Sequence, residues 1–148
     1  MKKIILLTLI LLPIAIQAQV SKDILAFFPK ASTTKDIKGQ WTEVLNSRNK
    51  TLGYVAYSKP ASNGIRGYAG ETPLIIAFGK DQKIIGVKPL PNNETPGYLN
   101  RVIASGLFDS WNGLTAKAAL SKKVDAVSGA TYTSNSVIKS LRARLKEM

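Results

Sequence analysis

Hydrophobic and polar positions divide this chain into a leader and a domain. Lys2 and Lys3 precede an almost unbroken apolar run from Ile4 to Ile16, closed by Gln17 and Ala18. A basic start, a short apolar middle and a small residue at the end is the layout of a secretory signal peptide. A spanning helix needs about 20 apolar residues, and this run is shorter and carries Pro13. Cleavage is expected after Ala18, leaving residues 19–148, enough for one domain with a sizeable core and too few for two.

Beyond the leader, Ser21-Lys22-Asp23 introduces the apolar cluster Ile24 to Phe28, and Pro29 breaks it, which predicts a short helix or an extended apolar segment. Aromatic and β-branched residues at Trp41 to Leu45 and Leu52 to Tyr57 flank the polar turn Asn46 to Lys50, a hairpin signature. A second hairpin follows, Leu74 to Phe78 and Ile84 to Lys88 around the turn Gly79 to Lys83. Its first strand is continuously apolar and so predicted to be central. Pro60 to Gly70, rich in Ser, Asn and Gly, predicts a surface loop between the hairpins.

Turn formers at Pro91 to Gly97 then give way to Leu99, Val102, Ile103 and Leu107 at helical spacing, with Thr95 as the expected cap and Pro96 in the first turn. Phe108 to Gly113 reads as an aromatic-anchored connection. Val137, Ile138, Leu141 and Leu145 form one face of a C-terminal helix, while Lys139, Arg142, Arg144 and Lys146 fall mostly elsewhere and suit the negative end of the helix dipole. Strands first and helices later predict a single α+β domain, a largely antiparallel sheet of two hairpins with flanking helices. Residues 19–66 hold the N-terminal helix and first hairpin, and residues 67–148 the core that carries the motifs below.

Composition narrows the chemistry. The chain has no Cys and no His, which excludes Cys-His and Ser-His-Asp catalysis, disulfides, and imidazole or thiolate metal ligands. Its formal charge is +12, and +10 without Lys2 and Lys3. That balance suits an anionic partner or surface, or simply a solvated basic face. No concentrated basic run is interleaved with aromatics, so nucleic acid is not the expected partner.

The segment Asp125-Ala126-Val127-Ser128-Gly129-Ala130-Thr131-Tyr132-Thr133-Ser134 stands out. Gly129 permits backbone geometry closed to other residues, Ala130 keeps the approach open, and hydroxyl residues sit where the C-terminal helix begins. A phosphate there would meet unpaired backbone N–H groups and the positive end of the helix dipole. Taken by itself, the segment is also readable as a plain turn and helix cap. Three further motifs accompany it in order: Gly67-Tyr68-Ala69-Gly70 before a strand, Asp81 to Val87 as turn and strand, and Glu94-Thr95-Pro96-Gly97. Together, over residues 67–134, they resemble the FMN-binding domain family, found in flavin-carrying subunits of sodium-pumping NADH:quinone reductase and Rnf complexes and in stand-alone exported proteins.

That resemblance implies FMN joined through a threonine phosphoester, with Thr133, the second Thr of Ser-Gly-Ala-Thr-x-Thr, presenting its hydroxyl as the bearer. Ser128, Gly129, Ala130 and Thr131 would be its neighbours. It also implies a separate flavin transferase that uses FAD as donor with a divalent metal and reads Asp125 to Thr133 as a unit. Glu94, Thr95, Pro96 and Gly97 would form a loop near the flavin, either touching it or acting only as turn and cap. The chain departs from the complex subunits after this Pro, continuing Gly97-Tyr98-Leu99 where they have Gly-Leu-Gly, and Glu71-Thr72-Pro73 repeats three letters of the motif. Tyr68 is expected as a packed tyrosine at a strand edge, with stacking on the flavin as the alternative. The implied function is that of an exported electron carrier rather than an autonomous enzyme, since no nicotinamide-binding fingerprint is present. Its expected place is the periplasm, at the membrane surface, between a membrane donor and a downstream acceptor.

Two other readings compete. A cofactor-free basic module for an anionic partner would explain the charge alone. Ser136-Val137-Ile138-Lys139 matches the Ser-x-x-Lys of serine hydrolases, but the Ser-Asp-Asn and Lys-Thr-Gly elements those enzymes need are missing.

Overall fold

The computed structural model describes residues 19–148, and the expected signal peptide lies outside the described residues. A single turn of helix, α1 (Lys22–Leu25), is capped by the Ser21 hydroxyl, which accepts from the Ile24 N–H at 3.3 Å. Five strands follow: β1 (Thr33–Ile37), β2 (Trp41–Leu45), β3 (Thr51–Tyr57), β4 (Leu74–Phe78) and β5 (Ile84–Pro89). They form one antiparallel meander in chain order, with Val55 opposite Ala77 and Ile76 opposite Val87. The helical half is α2 (Pro96–Ala104), a 3-10 turn (Leu107–Trp111), α3 (Ala116–Ser121) and α4 (Thr131–Leu145).

Both expected hairpins are present, and the sheet has one strand more than they supply. The segment β1 reads Thr-Thr-Lys-Asp-Ile, with Lys35 and Asp36 exposed. An edge strand needs little apolar surface and is protected by charge from pairing with other chains, so periodicity does not reveal it. The opposite is true of β4, whose five residues are all buried because alternate side chains enter different cores. Leu74, Ile76 and Phe78 face the helices, while Ile75 and Ala77 meet Ile24 and Phe28 from the N-terminal segment. That apolar segment therefore covers the sheet's second face. Gly53 makes room for it, since an added Cβ would stand only 2.7 Å from the Phe28 ring.

On the helical face, α4 lays Val137, Ile138, Leu141 and Leu145 against the sheet as its spacing predicted. Trp111, 1% exposed, anchors the 3-10 turn to the same core. The expected helix after Pro91 to Gly97 ends at Ala104, so Leu107 belongs to the 3-10 turn, and Ile103 faces solvent. Thr95 stands at the N-cap of α2, although its side chain makes no capping hydrogen bond. Arg144 is buried: it donates to Glu147 Oε2 at 3.1 Å and to the Gln40 carbonyl, tying the end of α4 to the turn between β1 and β2. Among the described residues no helix is long and apolar enough to cross a membrane.

Candidate functional site

Tyr68 of the Gly67 to Gly70 motif and the Gly129 to Thr133 segment, far apart in sequence, meet at the N-terminus of α4, whereas Asp81 and Gln82 lie at a different cleft. Gly129 has φ of +75°, a left-handed conformation that a glycine adopts without strain. The chain then enters α4 through Ala130, whose side chain cannot cap it. First-turn N–H groups consequently lack intrahelical acceptors and face outward with the positive end of the helix dipole. Ser134 holds this entry in place: its hydroxyl accepts from the Val127 N–H at 2.9 Å and donates to the Ala130 carbonyl at 2.8 Å.

An open cleft of about 240 Å³ lies over this mouth, lined by Tyr68, Tyr98, Gly129, Ala130, Thr131, Tyr132 and Thr133. Tyr68, expected as a packed strand-edge residue, lies outside the strands and is 62% exposed; Tyr132 is 72% exposed. Tyr68 and Tyr98 meet edge to face, with ring centroids 4.7 Å apart. Aromatic walls beside a helix mouth suit a flat conjugated ligand with an anionic tail. The cleft is smaller than the roughly 300 Å³ at which pockets begin to enclose such ligands, so part of the ligand would stay in solvent. A larger cleft of about 440 Å³ between Trp41, Thr115, Leu120 and Met148 includes Asp81 and Gln82 of the turn motif but none of the Asp125 to Ser134 segment.

The two threonines of the motif have opposite environments. Thr131 is exposed at the cleft. Thr133 also lines the cleft but is 0% exposed, and its Oγ1 has no hydrogen-bond partner. Its hydroxyl is therefore not presented at the surface as the sequence suggested. The reason is position: Thr133 continues the core-facing stripe of α4, whereas Thr131 falls on the open side. Ser128 and Gly129 are exposed and Ala130 is buried, all three in the same turn. Asp125 is exposed but lines a neighbouring depression with Lys122 and Lys123, outside the tyrosine-walled cleft.

Glu94 sits near the cleft without lining it. It is 5% exposed, and its carboxylate accepts from the backbone N–H groups of Tyr68 at 2.9 Å, Ala69 at 2.7 Å and Thr95 at 3.0 Å. Those bonds join the Gly67 to Gly70 loop to the start of α2, so Glu94 positions Tyr68 while its acceptor capacity is largely used. Thr95, Pro96 and Gly97 likewise stay outside the lining residues, and Tyr98, where the family resemblance broke, is the contributor from this segment. Glu71, of the repeated Glu-Thr-Pro letters, pairs instead with Lys59 and accepts from the Gly64 N–H at 2.6 Å. The Lys59 ammonium and that amide hold its carboxyl below the usual range. Ser136 is 1% exposed and donates to the Thr133 carbonyl at 2.8 Å, which removes it as an accessible nucleophile.

Arg101 is not singled out by any sequence pattern. It reaches from α2 to Gly129, where an added Cβ would stand 2.5 Å from its Nη1. Among the described residues it has no ion pair, and its guanidinium makes no hydrogen bond to a side chain or carbonyl.

The family model described as FMN-binding domain matches residues 67–146. A protein of the proton-translocating ferredoxin:NAD(+) oxidoreductase complex of Clostridium ljungdahlii is 30% identical over 111 residues, which is 68% of this chain and 55% of that protein. The chain thus spans about half the length of that relative. A crystal structure of NqrC from Shewanella oneidensis aligns with a TM-score of 0.45 at 20% identity, covering 80% of this chain and 69% of the other.

Proposed function

The chain belongs to the FMN-binding domain family, and from that membership we propose an exported electron carrier whose FMN is joined by a phosphoester to Thr133. The observation that carries the choice of residue is the Thr133 hydroxyl, buried on the wall of the cleft without a partner. A buried hydroxyl left unpaired is costly, and esterification removes the group that bears the cost. The other residues suit the cofactor as well. A helix mouth without a side-chain cap accepts phosphate, and tyrosines offer faces to the isoalloxazine.

Burial and modification are compatible if the transferase acts on an opened form. Helix ends open locally at far lower cost than the whole domain, and unwinding the first turn of α4 frees Thr131 to Thr133. The enzyme then reads Asp125 to Thr133 as an extended strip, with exposed Asp125 at its near end. In attachment the Thr133 oxygen attacks the FMN-side phosphorus of FAD. A new P–O bond forms, the pyrophosphate bond breaks with loss of AMP, and the hydroxyl proton passes to a base of the transferase. When the turn closes again, the ester lies in the cleft.

Bound FMN supplies one-electron or two-electron redox chemistry, and the protein's part is to hold and tune it. Location follows from the leader: residues 1–18 direct export and are removed, so the carrier works in the periplasm, at the membrane surface, exchanging electrons with a membrane donor and a downstream acceptor.

One intact-mass measurement on protein purified from its own host tests both halves of this proposal. The expected mass is that of a chain starting near Gln19 with one FMN ester. Retention of Met1 counts against export, and a flavin-free mass counts against attachment. The docking half rests on charge. With a formal +10 outside the leader, electron transfer to an acidic partner should slow severalfold as salt rises, since screening shortens the Debye length to about 10 Å at 0.1 M. Rates indifferent to salt remove electrostatic docking from the proposal.

A further inference from the structure

We propose that Arg101 holds the flavin's phosphate, its guanidinium reaching from α2 to the non-bridging oxygens of the phosphodiester at the mouth of α4. This rests on the covalent FMN reading and deepens it, because a single ester bond fixes where the flavin is tied but leaves it free to swing.

Three independent observations meet here. The first is the uncapped mouth of a 15-residue helix. The second is Thr133 Oγ1, fully buried and without a partner on the wall of the cleft, which marks where the phosphorus would be tied. The third is Arg101, packed on Gly129 with no carboxylate to neutralise it among the described residues. Gly129 lines the same cleft and allows that approach, because any side chain there would collide with the guanidinium. A cation is thus delivered to the rim of a site already polarised to receive an anion. A planar fork of donors matches two phosphate oxygens in a way that an ammonium does not.

The test uses the flavinylated protein and follows the phosphorus. A phosphodiester keeps one negative charge across the working pH range, so its 31P resonance reports contacts rather than protonation. In wild type that resonance should differ from that of a free FMN–threonine phosphodiester. Arg101→Gln should return it at least halfway, and Arg101→Lys, which keeps the charge and loses the fork, by less. Should the glutamine variant take up no flavin, the lysine variant still carries the measurement. Flavin fluorescence anisotropy should fall in the same order as the tethered ring gains freedom. The melting temperature of the unmodified protein should be unchanged by Arg101→Gln, since the side chain is exposed and unpaired, which distinguishes a phosphate contact from a structural one. A 31P resonance that neither substitution moves overturns the role of Arg101 and leaves covalent attachment standing. A wild-type protein with no bound phosphorus overturns both.

Discussion

Thr133→Val, produced together with a flavin transferase, should fold normally and carry no flavin through a denaturing gel, while Thr131→Val keeps at least half of its label. The expected difference is between near-complete loss and a change of about twofold, far larger than any effect on stability. Thr131 is exposed in the first turn of α4, where surface substitutions usually stay within about 0.5 kcal/mol. Thr133→Val preserves shape and deletes a buried hydroxyl with no partner, so it should be neutral or raise stability by up to roughly 1–3 kcal/mol in the unmodified protein. Loss of label in a variant that is no less stable separates a missing nucleophile from a damaged fold. Thr133→Ser, which restores a hydroxyl at the same place, should recover label. The assignment is refuted by in-gel fluorescence that survives in Thr133→Val and disappears in Thr131→Val.

The information that separates these threonines is present in the sequence but weakly expressed. Residues two apart on a helix point to different sides, so Thr131 and Thr133 cannot share an environment. Stepping back four residues at a time from Leu145 through Leu141 and Val137 reaches Thr133, which extends the buried face by one more turn. A motif read as a string hides this, because adjacency in the chain is mistaken for adjacency in space. The fully buried strand β4, interior to the sheet although β3 is its middle strand, both hairpins and the apolar stripe of α4 are legible because burial alone dictates their patterns. Strand β1 is not, since its Lys35 and Asp36 are edge protection rather than core. The short α3 escapes for a related reason: one capping threonine, Thr115, and a single buried alanine, Ala119, organise it, too little to produce a period. Arg101 and Tyr98 acquire their meaning only when α2 is folded beside the mouth of α4.

Glu94→Ala should destabilise the protein by about 3–5 kcal/mol in urea denaturation, a large share of the roughly 5–15 kcal/mol typical of a domain. The carboxylate accepts three backbone hydrogen bonds while almost wholly shielded from water. Bonds to a charged acceptor are worth about 1.5–3 kcal/mol each. Their sum overstates the loss, because Tyr68 and Ala69 are exposed and water can reach their amides once the side chain is gone. Glu94→Gln should fall between, since its amide nitrogen brings a donor toward amides that need an acceptor. Gly67 provides the internal check: a Cβ there would overlap Glu94 Oε2 and stand 3.0 Å from Ser136 Oγ, so Gly67→Ala must push the carboxylate away from the same amides. The two substitutions remove one set of bonds, and the double variant should be less destabilised than the sum of the singles by at least about 1 kcal/mol. In the flavinylated protein both should also lower flavin anisotropy, because the loop that sets Tyr68 at the cleft is no longer tied to α2. Strict additivity, or a Glu94→Ala protein as stable as wild type, would mean that the carboxylate is a bystander and that the tyrosine wall is held by other contacts.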